Sequence, residues 1–345
     1  MDKHIRYFDS LRLFASLAVI MLHILINEWW DHVLTSDWHV INVFFTTTRF
    51  AVPIFFMISG AIFLDPTREI KIKSLYTKNI ARILIAYGLW TIIYSISRAI
   101  LDDLDRVEIA HTLLNGQYHL WFLPSLVALY ILVPALRPIA KDKTALFYFT
   151  GLYCIGTFFF FSAGYFDLMG DLGLIVRWIE GKFYVGYVQG DLAYFLLGYC
   201  LYAYDVPVWV RKMSLPLAIF FTVLIVLFVV QYVSMTGYLE HRAFAYSSML
   251  VAFQTVFIFI FFKYHHQQII PAERIQRIIN RLTPYLFGVY LAHDLFLMIF
   301  RKLGLHALTF NPLIGMPLIM ILTFICSLAL TYLIKQIPVL NKYLV

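Results

Sequence analysis

Ten apolar runs, each about the length of a membrane crossing, set the limits on what this chain can fold into. They fall at roughly 8–27, 41–64, 76–98, 119–140, 144–163, 183–204, 213–234, 243–263, 282–301 and 312–334. About 20 apolar residues in a helix cross a hydrocarbon core of about 30 Å. No water reaches backbone N–H and C=O groups in that core, so a spanning segment is either a helix or a strand of a closed barrel. None of the runs alternates apolar and polar residues as a barrel strand does. The pattern predicts an all-α polytopic membrane protein with about ten transmembrane helices. It leaves a single domain over 1–345 and no separate soluble domain. Composition agrees: the chain is 61% hydrophobic and 14% charged, whereas a soluble domain is about half apolar and about a quarter charged.

The basic residues orient the runs. Of 27 Lys and Arg, 18 fall in loops on the side of the N-terminus and 7 in the opposite loops, with Arg12 and Arg49 inside runs. Cytoplasmic loops carry the excess of positive charge, so both termini are expected in the cytoplasm. The net charge of +7 comes from these short loops and does not point to nucleic acid. Lys3 and Arg6 precede the first run as in a signal peptide, but no small-x-small cleavage site follows, which predicts an uncleaved first span. The opposite loops are acidic and aromatic. They hold Trp29, Trp30, Asp31, Asp37 and Trp38, then Asp102, Asp103, Asp105 and Glu108, then Asp167, Asp171 and Glu180. Such residues stack on sugars and accept bonds from their hydroxyls; an interfacial aromatic belt would look the same. Cys154, Cys200 and Cys326 have no metal-ligand spacing, so no metal site is expected. No internal repeat of the transporter kind is present.

Ionisable groups inside the runs are expensive and therefore informative. Arg12 and His23 stand eleven residues apart, roughly 1100° around a helix and about 16 Å along it, so they share one face. A neutral imidazole there can take a proton from a hydroxyl. Asp9, one turn before Arg12, supplies a local ion pair. Arg49 lies within the second run, with Pro53, Ser59 and Gly60 permitting a bend or a close helix approach. Lys71, Lys73, Lys78 and Arg82 cluster where the third run begins. They could hold a phosphorylated ligand, although the positive-inside rule predicts a cluster there anyway. His119 and Trp121 open the fourth run, Asp191 lies in the sixth, and Tyr290, His293 and Asp294 lie in the ninth. Together they suggest an outward-facing polar pocket with His23 at its floor; singly, each could be a helix–helix hydrogen bond.

These residues also carry a resemblance. DSLRLFASLAVIMLH over 9–23, VPIFFMISGAIFL in the second run, YHLWFL over 118–123 and GVYLAH over 288–293 resemble the acyltransferase-3 family of bacterial integral-membrane acyltransferases. TRFAVPIFFMISG and YVQGDLAYFLLGY resemble the subgroup that O-acetylates enterobacterial common antigen. The resemblance implies an O-acetyltransferase of the bacterial inner membrane. It would move acetyl from cytoplasmic acetyl-CoA to a hydroxyl of a surface polysaccharide or lipid-linked sugar on the outer side. His23 would be catalytic, with Arg12. Arg12, Lys78, Arg82 and Arg49 would serve the donor, and His119, Trp121, Asp191, Tyr290 and His293 the glycan. Arg49 and His293 are the candidates for stabilising the oxyanion. The family's Arg-x-x-Arg is matched here only at Arg82; Asn79 stands in the first slot, beside Lys78. The competing class is a transporter or flippase for a lipid-linked sugar, which shares the spans and the aromatic loops. It needs neither a His aligned with a basic residue nor a basic donor dock.

Overall fold

The computed structural model describes residues 5–30, 33–102, 105–163, 171–237, 239 and 244–344. Asp31, Asp103 and Asp167 of the acidic loops lie outside these residues, as does Lys3. Among the described residues every regular element is a helix, and nine segments are long and apolar enough to cross a membrane. The chain is a multi-pass membrane protein. Its principal helices are α1 (Arg6–Trp30), α2 (Ser36–Thr47), α3 (Ala51–Phe63), α4 (Ala81–Leu101), α5 (Arg106–Asn115), α6 (Phe122–Lys141), α7 (Lys143–Cys154), α8 (Asp171–Lys182), α9 (Leu192–Ala203), α10 (Val208–Thr236), α11 (Met249–Ile269), α12 (Glu273–Leu282), α13 (Leu286–Lys302), α14 (Pro312–Gln336) and α15 (Pro338–Leu344).

Two apolar runs differ from simple spans. The second, 41–64, is two helices with a break between α2 and α3. Thr46, Thr47 and Thr48 each donate a side-chain hydroxyl to a carbonyl three or four residues back, which competes with the helix ladder. Pro53 then falls in the first turn of α3, where its missing N–H costs nothing. The sixth, 183–204, holds only the twelve-residue helix α9. Tyr184 and Gly190 have φ of 50° and 115°, values that interrupt a right-handed helix, so the apolar letters before Asp191 do not extend it. At about 1.5 Å per residue α9 is about 18 Å long, short of a hydrocarbon core.

Among the described residues α3 and α9 pack more extensively than any other pair. Glycines make the fit. A Cβ on Gly60 would lie 1.8 Å from the carbonyl oxygen of Phe195, and one on Gly198 would lie 2.0 Å from that of Met57. Lipid tails are as apolar as leucine, so dispersion at close backbone contact holds such pairs together.

The helix ends are tied in two groups. At the end holding the start of α1, Arg6 pairs with Glu273 at 2.8 Å. There Arg137 donates to the carbonyls of Phe63, Asp65 and Arg68, and Lys263 to those of Leu201, Tyr202 and Tyr204. Both cations thereby satisfy orphan carbonyls in and just beyond the last turns of helices. At the opposite end Lys302 lies 3.6 Å from Asp102, and His306 lies 3.2 Å from Glu28.

Candidate functional site

His23, on α1, and His293, on α13, meet at the centre of the bundle. Nδ1 of His23 lies 2.6 Å from Nε2 of His293, and the rings stack with centroids 4.9 Å apart. Nδ1 of His293 lies 2.6 Å from the backbone carbonyl oxygen of Tyr290. A carbonyl only accepts, so His293 must carry its proton on Nδ1. With both rings neutral, Nε2 of His293 is then an acceptor, and Nδ1–H of His23 donates to it. The remaining nitrogen of His23, Nε2, keeps its lone pair. It has no hydrogen-bond partner among the described residues. The peptide of α13 thus fixes the tautomer of an imidazole on α1, the arrangement a general base needs.

Around this pair the polar side chains interlock. His119 is fully buried, and among the described residues neither of its ring nitrogens has a hydrogen-bond partner. Its ring centroid lies 5.9 Å from that of His23 and 4.9 Å from that of His293. Its Nδ1 stands 3.8 Å from Oδ2 of Asp294. The Asp294 carboxylate has no exposure. It accepts from Gln117 Nε2 at 2.6 Å and from the Tyr118 hydroxyl at 2.9 Å, with Arg301 3.9 Å away. Tyr290 donates its hydroxyl to the carbonyl of His119 at 2.6 Å, and Tyr94 bonds α13 through Leu291 and Leu295. Such satisfaction makes a buried carboxylate tolerable. Despite three imidazoles, no group of His, Cys, Asp and Glu among the described residues is arranged to hold a metal ion.

A cavity of about 260 Å³ runs beside this cluster, lined by Arg12, Ser59, Tyr290 and the apolar side chains of Phe55, Phe122 and Phe287. Arg12 has its guanidinium 3.0 Å from Asp9 and keeps 29% of its side chain exposed. It is thus both paired and open to the cavity. Beyond Phe287 the Arg82 guanidinium sits 5.9 Å over that ring. Arg82 and Lys78 line a second, more open groove of about 410 Å³. The turn that presents Lys78, Leu75–Ile80, is π-helical, a form that recurs at functional sites.

Three of the sequence-selected residues lie elsewhere. Arg49 sits in the break between α2 and α3, donates Nε to the carbonyl of Phe244 at 2.7 Å, and lies 4.2 Å from the centroid of Tyr246. Phe45 and Phe244 add two more ring faces at 5.2 and 5.3 Å. Aromatic faces and a carbonyl therefore hold this buried cation. Trp121, 41% exposed, stacks on Tyr246 at 5.8 Å. Asp191 accepts the Ser125 hydroxyl at 2.5 Å and takes no part in the histidine cluster. Gln117, Tyr118, Tyr94 and Arg301 were not among the residues the sequence singled out. The first two directly precede His119, and that adjacency was the available signal.

A family model for an acyltransferase domain, acyltransferase-3, matches residues 5–332. The chain belongs to the acyltransferase-3 family. No curated protein and no solved structure matches it. The matched residues include both histidines of the central pair, Arg12, and the basic groove at Lys78 and Arg82. The chain is thus a multi-pass membrane acyltransferase, and its tautomer-fixed His23–His293 pair lies beside a cavity that Arg12 lines.

Proposed function

We propose that this acyltransferase is an O-acetyltransferase of the bacterial inner membrane. It uses cytoplasmic acetyl-CoA and acetylates a hydroxyl of a surface polysaccharide or lipid-linked sugar at the outer face, in the manner of the enterobacterial common antigen subgroup it resembles. The observation that carries this reading is the order of groups: Lys78 and Arg82 in the groove, Phe287 of the cavity wall under the Arg82 guanidinium, then Arg12, Tyr290 and the His23–His293 pair. Phosphates dock on the cations. The pantetheine arm, on the order of 15–20 Å, follows a path comparable with the rise of about 16 Å from Arg12 to His23.

In the chemical step the acceptor oxygen attacks the thioester carbonyl while Nε2 of His23 takes the hydroxyl proton. The tetrahedral intermediate collapses by breaking the carbon–sulfur bond, and the leaving thiolate recovers a proton from the His23 imidazolium. His293 has both nitrogens occupied in this geometry and Arg49 is engaged with Phe244 and three rings. His119 is therefore the N–H donor best placed for the oxyanion. Trp121 and Tyr118, both exposed aromatics, suit a sugar ring arriving from outside.

The test is acetyl transfer from radiolabelled acetyl-CoA in proteoliposomes with cell-envelope glycan extract as acceptor, wild type beside His23→Ala. Label in glycan only with wild type is the expected result. Transfer at equal rates by both proteins would remove His23 from the chemistry. Folded protein that neither binds acetyl-CoA nor transfers label would return the function to lipid-linked sugar transport.

A further inference from the structure

Arg49, Trp121 and Asp191 stand apart from the histidine pair but gather around one ring, that of Tyr246 in the turn ahead of α11. The Arg49 guanidinium lies 4.2 Å from its centroid. Trp121 stacks on it at 5.8 Å, and the charges of both Arg49 and Asp191 act on it. Asp191 caps the start of α9. Tyr194, one turn further on, donates its hydroxyl to the Tyr246 carbonyl at 2.6 Å, which ties the turn to that helix. This group adjoins the reacting centre through a single 3-10 turn, Tyr118–Trp121. Its His119 ring lies 5.9 Å from that of His23, while Trp121 stacks on Tyr246.

Arg49 is the unbalanced member of the group. It is 7% exposed, and a guanidinium carries five N–H donors. Nε–H goes to the Phe244 carbonyl. Among the described residues neither Nη group makes a hydrogen bond, and no carboxylate stands within ion-pair distance. The three rings around it orient the cation but bring no net charge. An arginine within a membrane needs a partner or a water-filled cavity, and an uncompensated buried charge is costly. The two Nη groups form a planar fork that matches a carboxylate. Asp191, on the same ring, favours a single negative charge over a phosphate dianion, and its oxygens can accept a sugar hydroxyl as they accept that of Ser125.

We propose that Arg49 is a specificity-determining residue for the acceptor, and that with Tyr246, Trp121 and Asp191 it forms a subsite for an acidic sugar whose carboxylate it binds. This rests on the glycan acetyltransferase reading and moves Arg49 from the donor to the acceptor. The arginine holds the carboxylate, Trp121 and Tyr246 present faces for the ring, and the neighbouring hydroxyl is left to the histidines.

Acetyl transfer in proteoliposomes tests this with two probes: cell-envelope glycan extract, and the same extract after its carboxyl groups have been reduced to primary alcohols. Wild type should need about tenfold more of the reduced extract to reach half its maximal rate. Arg49→Gln should need about tenfold more of the untreated extract than wild type does and should no longer distinguish the two, with KM for acetyl-CoA within twofold of wild type. Wild type that uses both extracts equally well overturns the subsite and leaves the acetyltransferase reading in place; this comparison needs no variant, so it stands even where Arg49→Gln fails to fold. Folded Arg49→Gln that keeps the full preference for untreated extract, or whose loss falls wholly on KM for acetyl-CoA, also overturns it. Wild type that labels neither extract removes the glycan acetyltransferase reading, and the subsite with it.

Discussion

Replacing Gly60 with alanine should separate the two helices that pack most closely. The new methyl would fall 1.8 Å from the carbonyl oxygen of Phe195, 2.6 Å from its carbonyl carbon and 3.0 Å from its Cα. All three are backbone atoms of α9, so no side chain can swing aside. Bringing the shortest contact out to 3.0 Å requires α3 and α9 to part by about 1.2 Å. A gap of about 1 Å already forfeits a quarter to a half of each dispersion contact along the seam. Overpacking typically costs 1–3 kcal/mol, and a seam buried on both sides should lie near the upper figure, about 3 kcal/mol. At about 2.1 cal/mol/K per residue the melting entropy of 345 residues is about 0.7 kcal/mol/K, so that corresponds to a fall of about 4 °C in melting temperature. Gly198→Ala meets the Met57 carbonyl at 2.0 Å and should behave alike. The double variant should cost clearly less than the sum, because the first methyl has already parted the helices. Gly151→Ala, on α7 with nothing within 4 Å of its Cβ position, is the matched control and should melt at or slightly above wild type. Tryptophan fluorescence during thermal unfolding in detergent reads all four variants. Gly60→Ala melting within about 1 °C of wild type would refute the claim that backbone contact at this seam is tight.

Three further expectations follow from the polar contacts. His293→Ala removes the acceptor of Nδ1–H on His23, so kcat for acetyl transfer should fall about a hundredfold with KM for the donor little changed; an unaltered kcat would mean that His23 does not depend on the pair. Arg137→Met strips three carbonyls of their donor and should cost about 2–3 kcal/mol of stability, visible as a lower melting temperature, whereas an unchanged one would show that water replaces the guanidinium freely. The Asp205 carboxyl is held below the ordinary carboxylate range by the hydroxyl of Tyr264 and then by Lys263. Its contribution is fully present above about pH 3.9 and is lost as pH falls through the lower folded value, so Asp205→Asn should flatten the acid limb of a stability–pH curve; superimposable limbs would discount the bond.

Helix content and membrane class were legible because hydropathy over a window of about 20 residues is a local property. The two departures were not, and each has a local cause that hydropathy does not register. Threonines at 46–48 turn their hydroxyls back on the ladder in the second run, and positive φ at Tyr184 and Gly190 shortens the sixth. In the site, His23 and His293 could each be picked out as ionisable groups within apolar runs. Their 2.6 Å contact joins residues 270 positions apart and has no signature in either neighbourhood. Arg49 shows the opposite limit: its cost in the membrane was visible, but not that aromatic faces would meet it.

The short helix α9 also bears on voltage. Its two ends carry Asp191 and Asp205, the latter with 71% of its side chain exposed. An energised membrane drops its potential across insulating thickness, and α9, about 18 Å long, is shorter than a hydrocarbon core of about 30 Å. With water at both ends of α9, the same voltage over the shorter distance would make a field about 1.7 times as steep, and each 100 mV does about 2.3 kcal/mol of work on a unit charge. A charge moved between water-filled ends of α9 would exchange that work over about 18 Å, little more than half the thickness of a bilayer's core.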